Sequence, residues 1–235
     1  CINNIKITPD TTGIILEVDT NAEEYKIEID LDGYTYTSYE KEKKIRIYLD
    51  NINIPDGTKH KPILWTMENP YLYKMNISTS EDKIETYFAL RTVSINKVNG
   101  VERICLNGKP VFLHGVLDQG YFCDGIFLPP TEKEFERDIL RMKDLGFNML
   151  RKHIKVEPEC FYYYCDKHGM LVVQDMVNNG GYSFLFDTAL PTIGMKSRRD
   201  MKKYNETRRI FKEHTKETLL HLYNHPCILV YTIFN

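Results

Sequence analysis

The spacing of apolar residues changes once along this chain, near residue 93, and that change limits the possible folds more than any other feature of the sequence. Before it, apolar and polar residues alternate over short stretches, as in strands with one buried face. Turn-forming Pro-Asp and Asp-Gly pairs separate these stretches. The clearest are residues 14–18, 25–29, 45–49 and 71–77. We therefore predict an immunoglobulin-like β-sandwich over residues 1–92.

After residue 93, short apolar strands alternate with amphipathic helices. Such units require a parallel sheet, and no glycine-rich phosphate loop follows the first strand, so a barrel is favoured over a dinucleotide-binding fold. We predict the first half of a (β/α)8 TIM barrel over residues 93–235, with about four strands. The predicted strands are residues 111–116, 147–151, 170–174 and the end of 224–235, and the helices are 131–145, 158–168 and 197–223.

The overall charge gives no reason to expect nucleic acid or a membrane as a partner. The formal net charge is -2 and the pI is about 6.4, and the basic run at residues 196–212 is typical of a solvated helix face. No apolar stretch reaches the roughly 20 residues that span a bilayer. The six cysteines contain no Cys-x-x-Cys pair, so we expect neither a metal nor another cofactor. We expect the thiols to be reduced, which favours a cytoplasmic protein.

Candidate functional residues lie where the predicted barrel strands end, because the carboxyl ends of barrel strands carry the working groups. These positions are residues 114–119, 151–153, 174–176 and Asn235. A guanidinium at Arg151 needs a counter-ion, and Asp175 on the next strand is the natural one. The pair is equally consistent with a structural role at the rim. Likewise, His153 is consistent with a substrate ligand or general acid and with a hydrogen-bonded, partly buried histidine.

Five segments, taken in order, resemble glycoside hydrolase family 2, which contains β-galactosidases, β-glucuronidases and β-mannosidases. Residues 64–73 contain Trp and then Glu-Asn-Pro-Tyr-Leu-Tyr, and residues 106–110 read Leu-Asn-Gly-Lys-Pro. Residues 146–151 give Gly-Phe-Asn-Met-Leu-Arg, and residues 164–173 carry Cys-Asp followed by Gly-Met-Leu-Val-Val. Residues 224–235 run from Asn-His-Pro through an apolar strand to Asn, where the family continues with its acid/base glutamate.

The resemblance implies a retaining exo-β-glycosidase, β-galactosidase-like, with a carbohydrate substrate. Asn235 would bind the sugar 2-hydroxyl, and Arg151, His153, Asp118 and Asp175 would line or support the subsite. Retention requires two carboxyl groups about 5–5.5 Å apart. The acid/base glutamate is expected directly after Asn235 and the nucleophile later, so the chain is expected to be an inactive fragment without catalytic residues. Its open barrel edge would favour a homo-oligomer.

Three segments differ from the commoner family patterns: residues 117–121, 151–153 and 174–176. These differences indicate a divergent branch of the family, so the resemblance does not identify the sugar. Two alternatives stay open. One is a metal-dependent barrel hydrolase with His114, His153 and Asp175 as ligands. The other is a non-catalytic carbohydrate-binding or interaction module with residues 162–164, three tyrosines, as a stacking platform. Consecutive helical residues point in different directions, so at least one of these tyrosines should be core.

Overall fold

A computed structural model of the chain describes residues 1–177, 183–195 and 201–233, without the side chains of 187 and 201–204. The first part of it consists of antiparallel strands. These are β1 (Ile2–Pro9), β2 (Gly13–Thr20), β3 (Tyr25–Asp30), β4 (Thr35–Glu40), β5 (Lys44–Tyr48), β6 (Tyr73–Ser78) and β7 (Lys83–Phe88), with a 3₁₀ turn at Leu49–Asn51.

These seven strands form two sheets that pack face to face. One sheet has the order β1-β2-β5 and the other the order β4-β3-β6-β7. Alternate residues of each central strand are buried, for example Ile14, Leu16 and Val18 of β2 and Ile27 and Ile29 of β3. The predicted β-sandwich is therefore confirmed, and its core is apolar because each sheet turns its period-two face inward.

The second part begins with the three-stranded antiparallel sheet β10-β9-β8 and continues with strand–helix units. No helix in the described ranges is long and apolar enough to cross a bilayer. The elements are β8 (Val93–Val98), β9 (Val101–Leu106), β10 (Lys109–Pro110), β11 (Gly115–Asp118), α1 (Lys133–Asp144), β12 (Met149–Lys152), α2 (Glu159–His168), β13 (Leu171–Asp175), a π-helical turn (Phe184–Ala189), α3 (Leu190–Thr192), α4 (Met201–His221) and β14 (Ile228–Thr232).

Strands β11 to β14 form one parallel sheet in the order of the sequence. A doubly wound fold reverses its strand order at a switch point, whereas a barrel adds each strand beside the previous one. The sequential order confirms the predicted first half of a TIM barrel.

Two local predictions were wrong. The strand predicted at residues 111–116 lies at Gly115–Asp118, because Val111 still bonds to Ile104 of β9 through its backbone N–H at 2.9 Å. The helix predicted from residue 131 begins later, at Lys133, and the N-cap residue of α1 makes no side-chain capping bond. Both errors concern where an element starts, which tertiary contacts decide.

The sandwich and the barrel half are joined by a buried polar junction at Asp166, near the end of α2. Its backbone oxygen accepts a hydrogen bond from the Trp65 indole at 2.8 Å. Its carboxylate accepts bonds from the Tyr87 hydroxyl and from the Cys227 amide, each at 2.7 Å. His225 Nδ1 lies 2.7 Å from the same carboxylate. Strand β7, helix α2 and the start of β14 therefore meet at one buried side chain.

Candidate active site

Arg151 and Asp175 form a two-bond ion pair at the carboxyl ends of β12 and β13. Arg151 Nε donates to Asp175 Oδ1 at 3.0 Å, and the guanidinium donates to Oδ2 at 3.1 Å. The Asp175 side chain is 2% exposed and that of Arg151 is 33% exposed. The two parallel hydrogen bonds fix the guanidinium and carboxylate planes relative to each other, and they confirm that Asp175 is the counter-ion of Arg151. Part of the Arg151 side chain remains exposed at this edge.

Asp118 lies on the other face of the sheet from that pair. In the parallel register Asp118 is the partner of Lys152, whereas Arg151 is the partner of Leu117. Partnered residues point to the same face and successive residues to opposite faces. Lys152 Nζ donates to Asp118 Oδ2 at 2.8 Å. The predicted site residues are thus divided between two faces.

Of the two remaining predicted residues, one is described by the structure. His153 follows β12 directly, is half-buried, and donates its backbone N–H to the Asp118 carbonyl at 2.9 Å. This bond places His153 beside the end of β11, at the same rim as Arg151. Asn235 lies outside the described residues, so its predicted role stays a prediction.

A buried ionic cluster below the rim was missed from the sequence. Its centre is Glu157, which is fully buried and lies 2.5 Å from Lys152 Nζ and 2.9 Å from Lys155 Nζ. Both lysine side chains are almost completely buried. The available signal was the run of charged residues directly after a buried strand. Burial of charge requires close partners, and this cluster supplies them.

Gln174 connects the ionic cluster to the rim pair. Its Nε2 donates to the backbone oxygens of Lys155 at 2.8 Å and of Asp175 at 2.9 Å. Its Oε1 accepts a bond from the Tyr162 hydroxyl at 2.7 Å. Burial raises the pKa of Tyr162, so this hydroxyl keeps its proton and acts as a donor. The network fixes the backbone on which Asp175 is mounted.

The geometry does not support a metal centre built from the three proposed ligands. His114 precedes β11 and therefore lies at the amino end of the sheet, where its Nδ1 is 3.2 Å from the Gly146 oxygen. His153 and Asp175 are at the opposite, carboxyl end. Within the described ranges, no group of three or more His, Cys, Asp or Glu side chains is arranged to hold a metal ion.

The three consecutive tyrosines of α2 do not form a common platform. Tyr162 is fully buried and belongs to the barrel core. Tyr163 is partly exposed and its ring packs at 5.5 Å from that of Tyr87, and equally close to that of Tyr164. The expectation that at least one of them is a core residue is confirmed.

Comparison with known proteins covers both halves. Residues 1–91 match the family model of glycosyl hydrolases family 2, and residues 96–235 match that of the glycosyl hydrolases family 2 TIM barrel domain. The β-galactosidase of Yersinia enterocolitica is 28% identical over 200 residues, which is 80% of this chain and 17% of that protein. A Vibrio vulnificus β-galactosidase is 25% identical over 257 residues, covering 100% of this chain and 23% of the relative.

Solved structures support the same fold. A β-glucuronidase from an uncultured Clostridium sp. superposes with a TM-score of 0.75 at 22% identity, covering 98% of this chain and 37% of that one. The Ruminococcus gnavus β-glucuronidase gives 0.72 at 20% identity, covering 99% and 36%. The chain thus spans about a sixth to a quarter of the curated relatives' length. With both halves matched in order, the chain belongs to glycoside hydrolase family 2.

Proposed function

We propose that this chain supplies the sandwich and one side of the sugar-binding rim of a retaining exo-β-glycosidase. The observation that carries the proposal is the Arg151–Asp175 pair at the carboxyl edge of the parallel sheet. Barrel enzymes place their working groups at this edge. The carboxylate is buried, and the Arg151 side chain, which is 33% exposed, reaches the surface at this edge. A charged side chain that a buried partner holds in one position suits contact with the hydroxyl groups of a sugar.

The carboxylates at this edge have partners that limit their chemistry. Both oxygens of Asp175 accept bonds from Arg151, and Asp118 accepts bonds from Lys152 and from the Gly120 amide. Glu157 is fully buried between two lysines. A retaining mechanism needs one carboxylate to protonate the leaving oxygen and another to attack the sugar. We assign neither role to these three residues and expect the proton donor to be a glutamate directly after Asn235.

A β-galactoside is the proposed substrate, in line with the names of the curated relatives. A uronic acid would need a cation free to meet its carboxylate, but the charge of Arg151 is already matched by Asp175. A neutral sugar needs no such cation. The ion pair therefore favours a neutral hexose over a glucuronide.

The test uses the product of the complete open reading frame and a panel of nitrophenyl β-glycosides. We expect turnover of the β-galactoside, and a loss of at least about tenfold in kcat/KM for Arg151→Met, because one charge-assisted contact is worth roughly 1.5–3 kcal/mol. Residues 1–235 alone should show no turnover, since neither catalytic carboxylate is assigned to them. Absence of turnover on every sugar of the panel would refute the proposal, and turnover of the glucuronide alone would refute the choice of sugar.

A further inference from the structure

The segment between β11 and α1 exposes an unusual amount of apolar surface at the barrel rim. We call residues 120–128 the rim loop. Tyr121 is 67% exposed and Phe127 is 57% exposed, and Ile126 and Leu128 are exposed as well. A group of large apolar side chains open to solvent indicates a binding surface. The loop follows directly on Asp118, so this surface lies at the same carboxyl edge of the sheet as the Arg151–Asp175 pair, while its base rests on the face that carries Asp118 and Lys152.

The rim loop has a defined conformation. Phe122 and Ile126 exchange two backbone hydrogen bonds, each 2.9 Å long, and the Phe122 ring packs edge-on against Phe135 of α1. Ile126 has a φ of 58°, which a β-branched residue adopts only when its surroundings force it. Strain of this kind concentrates at sites that bind ligands. The exposed rings are therefore held in place.

The residue that holds them is Lys155, which is buried beneath the loop. Its Nζ donates to the Gly120 oxygen at 2.7 Å and to the Phe127 oxygen at 2.5 Å. It thereby closes the loop at both ends, and it also lies 4.2 Å from the centre of the Phe127 ring. Glu157, at 2.9 Å, balances its charge. An apolar side chain would fill this space without the free-energy cost of removing a charge from water. We therefore infer that the buried Lys155–Glu157 pair serves to fix the geometry of the loop rather than to add stability.

The loop is seated directly on the ionic cluster. A Cβ atom at Gly120 would lie 2.2 Å from Glu157 Oε1 and 2.7 Å from Lys152 Nζ, so a larger residue does not fit there. Gly120 also has a φ of 68°, a conformation that glycine adopts freely. Gln174 then links Lys155 to Asp175 through its side-chain amide. The rim loop and the sugar-binding pair are thus parts of one connected structure.

We propose that the rim loop forms the leaving-group side of the site, with the rings of Tyr121 and Phe127 contacting an apolar aglycone and with Lys155 and Glu157 as positioning residues. This inference rests on the proposed glycosidase function. The polar pair suits the hydroxyls of the sugar, whereas exposed aromatic rings suit an aryl or other apolar group attached to it. The substrate class is accordingly a β-glycoside of an aromatic or apolar alcohol.

The first experiment compares two glycosides of one sugar, a nitrophenyl and a methyl glycoside, on the product of the complete open reading frame. Phe127→Ala should lower kcat/KM for the nitrophenyl glycoside by about fivefold to tenfold, as expected for one ring contact. The value for the methyl glycoside should stay within about twofold. The matched control is Phe112→Ala, since Phe112 is also exposed but precedes β11 at the opposite end of the sheet.

The second experiment tests the positioning role by limited proteolysis of residues 1–235, where no activity is needed. Chymotrypsin should cut Lys155→Met in the rim loop at least about tenfold faster than the original chain, because the loop has lost the two hydrogen bonds from Lys155 that hold it closed. Unchanged Trp65 emission shows that the variant is folded. In the complete protein the same variant should raise KM for the nitrophenyl glycoside and leave kcat within about twofold.

The outcomes separate the two proposals. If no β-glycoside is turned over, the proposed function and the aglycone assignment both fail, while proteolysis still decides the role of Lys155. If turnover occurs but Phe127→Ala affects both glycosides equally, the aglycone assignment alone is wrong. Unchanged cleavage of the loop in Lys155→Met overturns the positioning role. Should that variant not fold, the Phe127→Ala comparison still decides the aglycone assignment.

Discussion

The sandwich and the barrel half bury different kinds of side chain. In residues 1–92, all of them described, the buried polar side chains apart from tyrosine and tryptophan are Thr20 and His60. The described residues of the barrel half include five charged side chains that are buried, and burial of charge costs free energy unless each group has a close partner. The sandwich core is thus almost entirely apolar. The barrel half, in contrast, buries charged side chains at its contact with the sandwich and at the candidate site, where each burial costs free energy. The five are Lys152, Lys155, Glu157, Asp166 and Asp175.

The buried charged side chains of the barrel half lie at the two opposite ends of its parallel sheet. Asp166 lies at the amino end of β14, where it joins α2 to the sandwich through Tyr87 and Trp65. Burial, together with the adjacent Asp166 carboxylate, raises the pKa of the Tyr87 hydroxyl, which therefore stays a hydrogen-bond donor. Lys155, Glu157 and Asp175 lie at the carboxyl end. Position along the strands thus distinguishes the charge that holds the halves together from the charge that forms the site.

Separating the two halves should give the largest difference between them. Residues 1–92 are expected to fold as a soluble monomer, because both sheets bury their apolar faces against each other. Residues 93–235 are expected to self-associate, because β14 pairs on one side only, with β13, among the described strands. Size-exclusion chromatography and far-UV circular dichroism of the two pieces measure both properties. A monomeric, folded second piece would show that the half-barrel is a complete domain.

A nearly isosteric change in the ionic cluster should cost more than a change of similar size in the sandwich core. Glu157→Gln leaves Lys152 and Lys155 buried without a carboxylate between them, and we expect a loss of about 3–5 kcal/mol in the free energy of unfolding. Ile27→Val removes one methylene from the apolar core and should cost about 0.5–1.5 kcal/mol. Urea unfolding of the whole chain, followed by emission of its single tryptophan, Trp65, measures both.

The ion pair of Lys83 and Glu85 provides the control for that comparison. Both side chains are largely exposed on the sandwich, so Glu85→Gln should leave the free energy of unfolding unchanged within error. If Glu157→Gln is no more destabilising than Ile27→Val, the lysines find other partners in the variant, and the contrast between the halves loses its energetic basis.

The sequence predicted those strands that have one face buried and the other face exposed to solvent. Strands β2, β3, β5 and β6 alternate clearly because one face is packed in the sandwich core. Strand β4, residues Thr35–Glu40, was not predicted. It lies at the edge of its sheet and alternates only between half-buried and exposed positions, so its sequence needs no apolar face. The central strands β2, β3 and β6 were all predicted, whereas of the four edge strands of the sandwich only β5 was.

The site was predictable only in part, for a similar physical reason. Arg151 and Asp175 were found because each is a charged residue at the end of an apolar strand. Lys155 and Glu157 lie in the connection between β12 and α2, where no periodicity indicates which groups face inward. Their pairing depends on how the rim loop folds back over them, which is a long-range contact. His114 was placed at the wrong end of the sheet because β11 begins later than its apolar run suggests.

The smallest expected effect concerns the one histidine that the sandwich buries. Burial lowers the pKa of His60 below its usual 6.5, with the nearby Asp32 carboxylate acting in the opposite direction. The unfolded chain therefore binds this proton more readily than the folded one. Stability is at its full value above pH 6.5 and falls as the pH drops from there towards the folded-state pKa.

The substitution His60→Gln isolates this contribution. Glutamine can still reach the Tyr73 hydroxyl, which lies 3.2 Å from His60 Nε2, but it takes up no proton. The free energy of unfolding should therefore fall less steeply in the variant than in the original chain between pH 6.5 and 5. The difference measured at pH 7.5, where His60 is neutral in both states, corrects for lost packing. Parallel curves would mean that His60 takes up its proton equally well in both states.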